Sequence, residues 1–279
     1  TGTPVRIDGS LHDAAWENAQ VITGFTQQEL TEGAPATERT EVRILFDDEN
    51  LYVGVMCFDS QPERIVHKVM ERDGSLGSDD RFNIVIDTYN DQRGGYYFGT
   101  NPNGMMYDGT LSAVGNDKLN ENWDGIWDTR ARITDTGWSC EMVIPFKTLR
   151  FPVGDMQVWG INFKRAIMRN NEEVLWRSWR RNEGIREIGN IGTITIDRAL
   201  KSSRHLDIKP YVLGGVENVR GEKSDDTFNY GLDVKYGIST NTTLDLTTNT
   251  DFAQIESDKE IINLTRFNVS FPEKRDFFL

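Results

Sequence analysis

Residues 41–58 read Glu41-Val42-Arg43-Ile44-Leu45-Phe46-Asp47-Asp48-Glu49-Asn50-Leu51-Tyr52-Val53-Gly54-Val55-Met56-Cys57-Phe58. Val42, Ile44 and Phe46 recur at every second position, a polar turn follows, and Leu51, Val53, Val55 and Cys57 resume the alternation. A period of two sends one set of side chains to one face, as a strand does and a helix does not. The stretch therefore reads strand, turn, strand. Similar units follow along the chain. Phe82, Ile84 and Ile86 alternate ahead of the turn formers of 87–95, and residues 96–101 and 105–108 flank Pro102-Asn103-Gly104. Residues 131–133 and 138–144 flank another turn, and 159–167 and 191–196 complete the set. Only 13–18 and 145–149 predict short helical turns. Many short strands separated by turns predict an all-β fold, a β-sandwich, over residues 1–198.

Residues 199–206 are basic and serine-containing, show neither periodicity, and suit a linker. Residues 207–279 return to strands. Tyr230, Leu232, Val234, Tyr236 and Ile238 alternate with Gly231, Asp233, Lys235 and Gly237; Leu244 and Leu246 continue after a turn. A further run passes from Ile262 and Leu264 through Phe267, Val269 and Phe271, with a change of phase near Arg266 that predicts a bulge. The sequence ends in Phe277-Phe278-Leu279, an apolar run, which predicts a fragment cut inside a larger β-structure. Two readings fit: an antiparallel sheet with one face on a soluble core, or the first strands of a transmembrane β-barrel, apolar outside and polar inside.

Composition narrows the classes. A mean hydropathy of −0.53 and a charged fraction of 27% exclude a helical membrane protein, since a spanning helix needs about 20 apolar residues in a row. A net charge of −13 argues against a nucleic-acid partner, which calls for a basic surface. Cys57 and Cys140 both lie in strand-like runs, which fits buried thiols, or a disulfide in an oxidising compartment. His12, His67 and His205 lack neighbours at metal-ligand spacing, and no nucleophile-elbow, zinc-protease or phosphate-loop motif is present.

Among seven tryptophans, Trp16, Trp138 and Trp159 stand beside apolar residues and are expected in the core. Trp123 and Trp127 differ, because Asn122, Asp124 and Asp128 surround them. An aromatic ring covers the C–H face of a sugar while amides and carboxylates bind its hydroxyls, so this loop is the candidate ligand site. A tryptophan plugging the end of the sandwich is the other reading. Trp176 and Trp179 interleave with Arg177, Arg180 and Arg181 in a pattern open to cation–π stacking and to docking on a barrel. Asp73, Asp79 and Asp80 surround a Gly/Ser-rich loop; hard oxygen donors suit Ca²⁺, and a solvated acidic loop is the alternative.

Ile7-Asp8-Gly9 with Asp13 and Trp16 resembles the opening of family 9 carbohydrate-binding-module-like domains. Leu51-Tyr52-Val53, the strand from Asp80 to Asp87, Gly137-Trp138 with Glu141, Ile144 and Pro145, and Gly189-Asn190 match later landmarks of that family. Residues 250–257, Asn263-Leu264-Thr265-Arg266-Phe267 and Phe271-Pro272-Glu273-Lys274-Arg275 resemble a bacterial family of unknown function, numbered 5916, which couples such a sandwich to an outer-membrane barrel. The resemblance implies a jelly-roll-like sandwich, an oligosaccharide or polysaccharide partner, and the outer membrane, with the sandwich periplasmic or at the surface. Sugar-binding members carry stacking tryptophans at two places that here hold Gly77 and Asn182. The expected function is non-catalytic recognition of a glycan or another envelope ligand. The alternative is a glycan-active hydrolase of carbohydrate catabolism with this sandwich as accessory module. A haem-binding relative would need a Met/His pair that Met56 and His67 do not supply.

Overall fold

The computed structural model describes residues 5–113, 118–121, 123–200, 206–217, 225–239 and 242–249. They form two compact units, Thr1–Ser202 and Ser203–Leu279. The first contains one α-helical turn, α1 (Ala14–Glu17), and the strands β1 (Val21–Ile22), β2 (Thr26–Glu29), β3 (Thr40–Phe46), β4 (Asn50–Phe58), β5 (Arg81–Asp87), β6 (Gly94–Thr100), β7 (Tyr107–Ser112), β8 (Leu119–Asn120), β9 (Asp128–Thr134), β10 (Gly137–Pro145), β11 (Gln157–Ile167), β12 (Glu172–Leu175) and β13 (Gly192–Ile196). All pair antiparallel, in two sheets. The smaller runs β1-β3-β4-β10-β9; the larger runs β2-β12-β11-β5-β6-β7-β8, with β13 also on β11.

The alternation quoted above decides how the sheets meet. Register places Leu51, Val53, Val55 and Cys57 opposite Ile144, Met142, Cys140 and Trp138. These side chains face Phe82, Ile84, Ile86, Phe98, Trp159, Ile161 and Phe163 of the larger sheet in a single buried cluster. Each sheet thus buries one apolar face against the other, the sandwich arrangement. The 47–50 turn is closed by Asp47, whose Oδ1 accepts the Glu49 and Asn50 backbone N–H groups at 2.8 and 2.7 Å. Cys57 and Cys140 are free buried thiols, not a disulfide, and burial pushes the Cys57 thiol up to about 12.

The N-terminal segment covers the outer face of the smaller sheet. Glu141 Oε1 accepts the Trp16 indole N–H at 2.8 Å, and Oε2 accepts the backbone N–H groups of Asp8 and Gly9 at 2.8 Å each. Gly9 has φ +85°, and a Cβ there would stand 2.9 Å from the Ala131 carbonyl carbon, so both conformation and contact call for glycine. The opening Ile7-Asp8-Gly9, Asp13, Trp16 pattern and Glu141 are therefore one fastening.

The second unit contains β14 (Leu206–Glu217), β15 (Asp225–Ser239) and β16 (Thr242–Thr248), in the order β14-β15-β16. Tyr230, Val234 and Tyr236 pair with Val212, Ile208 and Leu206 on one side, and Val234 and Tyr236 with Leu246 and Leu244 on the other. This apolar face is the exposed one: Val212 is 70% exposed and Tyr230 66%, whereas Asp233 on the opposite face is 7% exposed and accepts the Thr247 hydroxyl. The expected strand of residues 262–271 lies outside the described residues. Leu200, expected in the linker, is buried with the sandwich core. Among the described residues no helix is long and apolar enough to cross a membrane, which says nothing of a β-barrel.

Candidate functional site

The larger sheet turns its second face outward, and there a pocket of about 560 Å³ opens. Its floor follows from register. Lys164 pairs with Asn83, Asn83 with Gly99, and Gly99 with Tyr107, so one row of residues crosses β11, β5, β6 and β7. A Cβ on Gly99 would lie 2.5 Å from Asn83 Nδ2; glycine leaves the Asn83 amide its place in the floor. One wall is the 73–77 loop. The opposite wall is the segment after β12, held down because Ile185 and Ile188 pack with Val85, Tyr97, Leu111, Leu119 and Leu175 in a second apolar cluster. Tyr97 and Tyr107 meet edge to face, centroids 5.9 Å apart.

The floor is charged. Glu173 accepts Arg81 Nη2 on one oxygen at 2.5 Å and Lys164 Nζ on the other at 2.7 Å. Burial holds the Lys164 ammonium below the usual lysine range, and Glu173 partly offsets that. The Tyr107 hydroxyl donates to Glu121 Oε1 at 2.5 Å, and burial together with that carboxylate pushes the phenol up. Asn83 is 1% exposed, and among the described residues neither its amide oxygen nor its amide nitrogen has a protein partner. A donor and an acceptor at the floor of an open pocket are what a hydroxylated ligand uses.

The residues singled out by sequence lie elsewhere. Trp127 is 7% exposed and packs edge-on to Phe98 at 5.1 Å; Trp123 is half-buried against Tyr96 and Phe98. The pair plugs the sandwich core, so the ligand platform expected of this loop is corrected: apolar packing takes the rings. Asp124 is a partner of Arg72, Asp128 of Arg130 and the Thr129 N–H, and Asn122 lies outside the described residues. The three aspartates offered for Ca²⁺ do not face one another. Asp79 accepts the Lys68 and Val69 N–H groups and the Asn101 amide, and Asp80 accepts the Val66 N–H, which fastens the 66–69 segment. Asp73 groups instead with Asp108 and Asp124, and the Arg72 guanidinium contacts all three, at 3.1, 2.8 and 2.9 Å. That cluster already has its cation. Trp176 carries the expected cation–π contact, Arg177 Cζ lying 4.1 Å from the ring centroid. Sequence does not single out Asn83, Lys164 and Arg81; the available signal is that Arg81 and Asn83 alternate with Phe82 and Ile84.

Gly77 lines the pocket, and Asn182 directly precedes Glu183, which also lines it. The two places where the resemblance looked for aromatic rings thus flank this cavity and not the Trp123/Trp127 loop. No curated protein matches the chain. Among solved structures, a family 9 carbohydrate-binding module from Caldicellulosiruptor kristjanssonii in complex with cellotriose is 17% identical, with a TM-score of 0.49, covering 72% of this chain and 91% of that one. A family 9 module from the same organism in complex with glucose is also 17% identical, with a TM-score of 0.48, covering 72% and 93%. Residues 203–279 match a domain of unknown function (DUF5916). Residues 7–186, more than half the chain and nearly all of the sandwich, match the carbohydrate family 9 binding domain-like model, and the chain belongs to that family.

Proposed function

We propose that the sandwich binds a saccharide in the pocket over β11, β5, β6 and β7, without cleaving it. The observation that carries this reading is Asn83. A buried amide with no partner costs about 1–3 kcal/mol, and a sugar hydroxyl, donor and acceptor at once, relieves it. Family membership and the position of Gly77 at the pocket support the same ligand class. The carboxylates at this pocket support a binding role: Glu173 is held by two cations and Glu121 by the Tyr107 hydroxyl. The test is calorimetric titration of a glycan panel with the wild type and Asn83→Ala. A bound glycan should lose about tenfold or more in affinity in the variant, the worth of one or two hydrogen bonds. A variant that binds as tightly as the wild type, or a wild type that binds no glycan, would overturn the reading.

A second reading concerns the other unit. We propose that it opens an outer-membrane β-barrel, and its inverted burial supports this. Water-soluble sheets cover their apolar face, whereas here Tyr230, Leu232, Tyr236, Leu244 and Leu246 are exposed and Asp233 is buried. The sandwich would then sit at the outer membrane, on its periplasmic or its external side.

A further inference from the structure

The pocket's floor carries more positive charge than its own carboxylate answers. Arg81 and Lys164 share Glu173, whose two oxygens are spent one on each. Lys164 has three N–H donors, and among the described residues its one hydrogen bond goes to Glu173. It stands directly across from Asn83, whose amide has no protein partner among the described residues. The carboxylates at the rim have partners of their own: Glu187 pairs with Lys118, Glu121 accepts from Tyr107 and lies 3.8 Å from Arg186, Glu183 accepts from the neutral Asn190 amide, and Asp73 pairs with Arg72, which also serves Asp108 and Asp124. At the floor, two cations and one carboxylate leave a net positive charge beside unspent donors.

Resting on the saccharide reading above, we infer that the ligand is an acidic sugar, a uronic acid residue whose carboxylate sits between Lys164 and Asn83. One carboxylate oxygen takes a Lys164 N–H and the other the Asn83 Nδ2 donor. Asn83 Oδ1 then remains to accept a hydroxyl of the same ring. Bonds between an ionised donor and a carboxylate are about twice as strong as neutral ones, and low exposure strengthens them further. A neutral sugar could use Asn83 but would leave the floor charge unanswered.

The experiment titrates the full chain, in detergent, with oligomers of galacturonic, glucuronic and mannuronic acid, each beside its methyl ester, and with cellotriose. The ester keeps the ring and its hydroxyls and removes only the charge. At least one acid should bind about tenfold or more tightly than its ester, with the gap narrowing as salt is raised. Lys164→Met should bring that ratio close to one. Asn83→Asp, which preserves shape and adds a negative charge, should invert it. Acid and ester, or acid and cellotriose, binding equally well would overturn the uronate assignment while leaving the saccharide pocket standing. Binding of no saccharide would remove the pocket reading and this inference together.

Discussion

A tryptophan's neighbours along the chain describe its loop, not the neighbours its ring meets after folding. Trp16, Trp138 and Trp159 were legible as core because apolar residues stand beside them in helix-like or strand-like runs, and all three are essentially unexposed. Trp123 and Trp127 lie among amides and carboxylates in sequence, yet the loop turns them onto Phe98. The polar residues there face outward or take partners from other loops, as Asp124 does with Arg72. The opposite error applies to Asn83: one polar residue within an apolar strand looks like an outward surface position, and only register with Lys164 and Gly99 shows it under a pocket. Replacing Trp127 by Ala should therefore cost about 3–5 kcal/mol of stability, the usual range for truncating a buried tryptophan. Urea denaturation measures this, with glycan titration alongside. A variant as stable as the wild type but unable to bind sugar would return the ligand site to this loop.

Elements with a strong period of two were legible, and those without one were not. β4, β5, β10 and β11 follow the apolar alternation that predicts them. β2 reads Thr26-Gln27-Gln28-Glu29, with no apolar residue, and is a strand because tertiary contacts hold it. Gln27 Nε2 donates to the Pro35 carbonyl and Gln28 Nε2 to that of Arg180, both at 2.8 Å. β12 has Val174 and Leu175 alone to declare it, and its buried Glu172 accepts the Thr37 N–H from the segment between β2 and β3. Such hydrogen bonds are not written in any local pattern. In β15 the alternation was legible but its direction was not, since a period of two does not say which face meets water. On the barrel proposal, the exposed apolar face is the one that meets lipid. Val234→Arg, on that face in the central strand, should impair assembly into membranes far more than Asp233→Asn on the other. An arginine toward lipid near the midplane costs about 2–4 kcal/mol, while polar changes on the inner side cost little. Heat-modifiable migration after refolding into lipid vesicles reads the outcome, and equal loss from both substitutions would show that Val234 does not face lipid.

The whole chain joins two units that solve burial in different ways. The sandwich covers its apolar faces with its own two sheets, and its core extends to Leu200, two residues past the boundary that loss of periodicity suggested. The described strands of the second unit leave an apolar face exposed, and β14 and β16 each have one paired edge among the described residues. Open edges beside exposed apolar rows favour association with other copies. The net charge of −13 opposes that association through long-range repulsion, but salt screens it within about 10 Å at 0.1 M. Contact between apolar rows is short-range and escapes that screening. A fragment of residues 1–202 should accordingly be a monomer in plain buffer with a cooperative unfolding transition, while residues 1–279 should need detergent or lipid to stay dispersed. Light scattering of both, with and without detergent at 50 and 300 mM salt, decides the matter. If the longer chain is equally monodisperse without detergent at both salt concentrations, its apolar face has found cover within the protein, and the membrane assignment of the second unit fails with it.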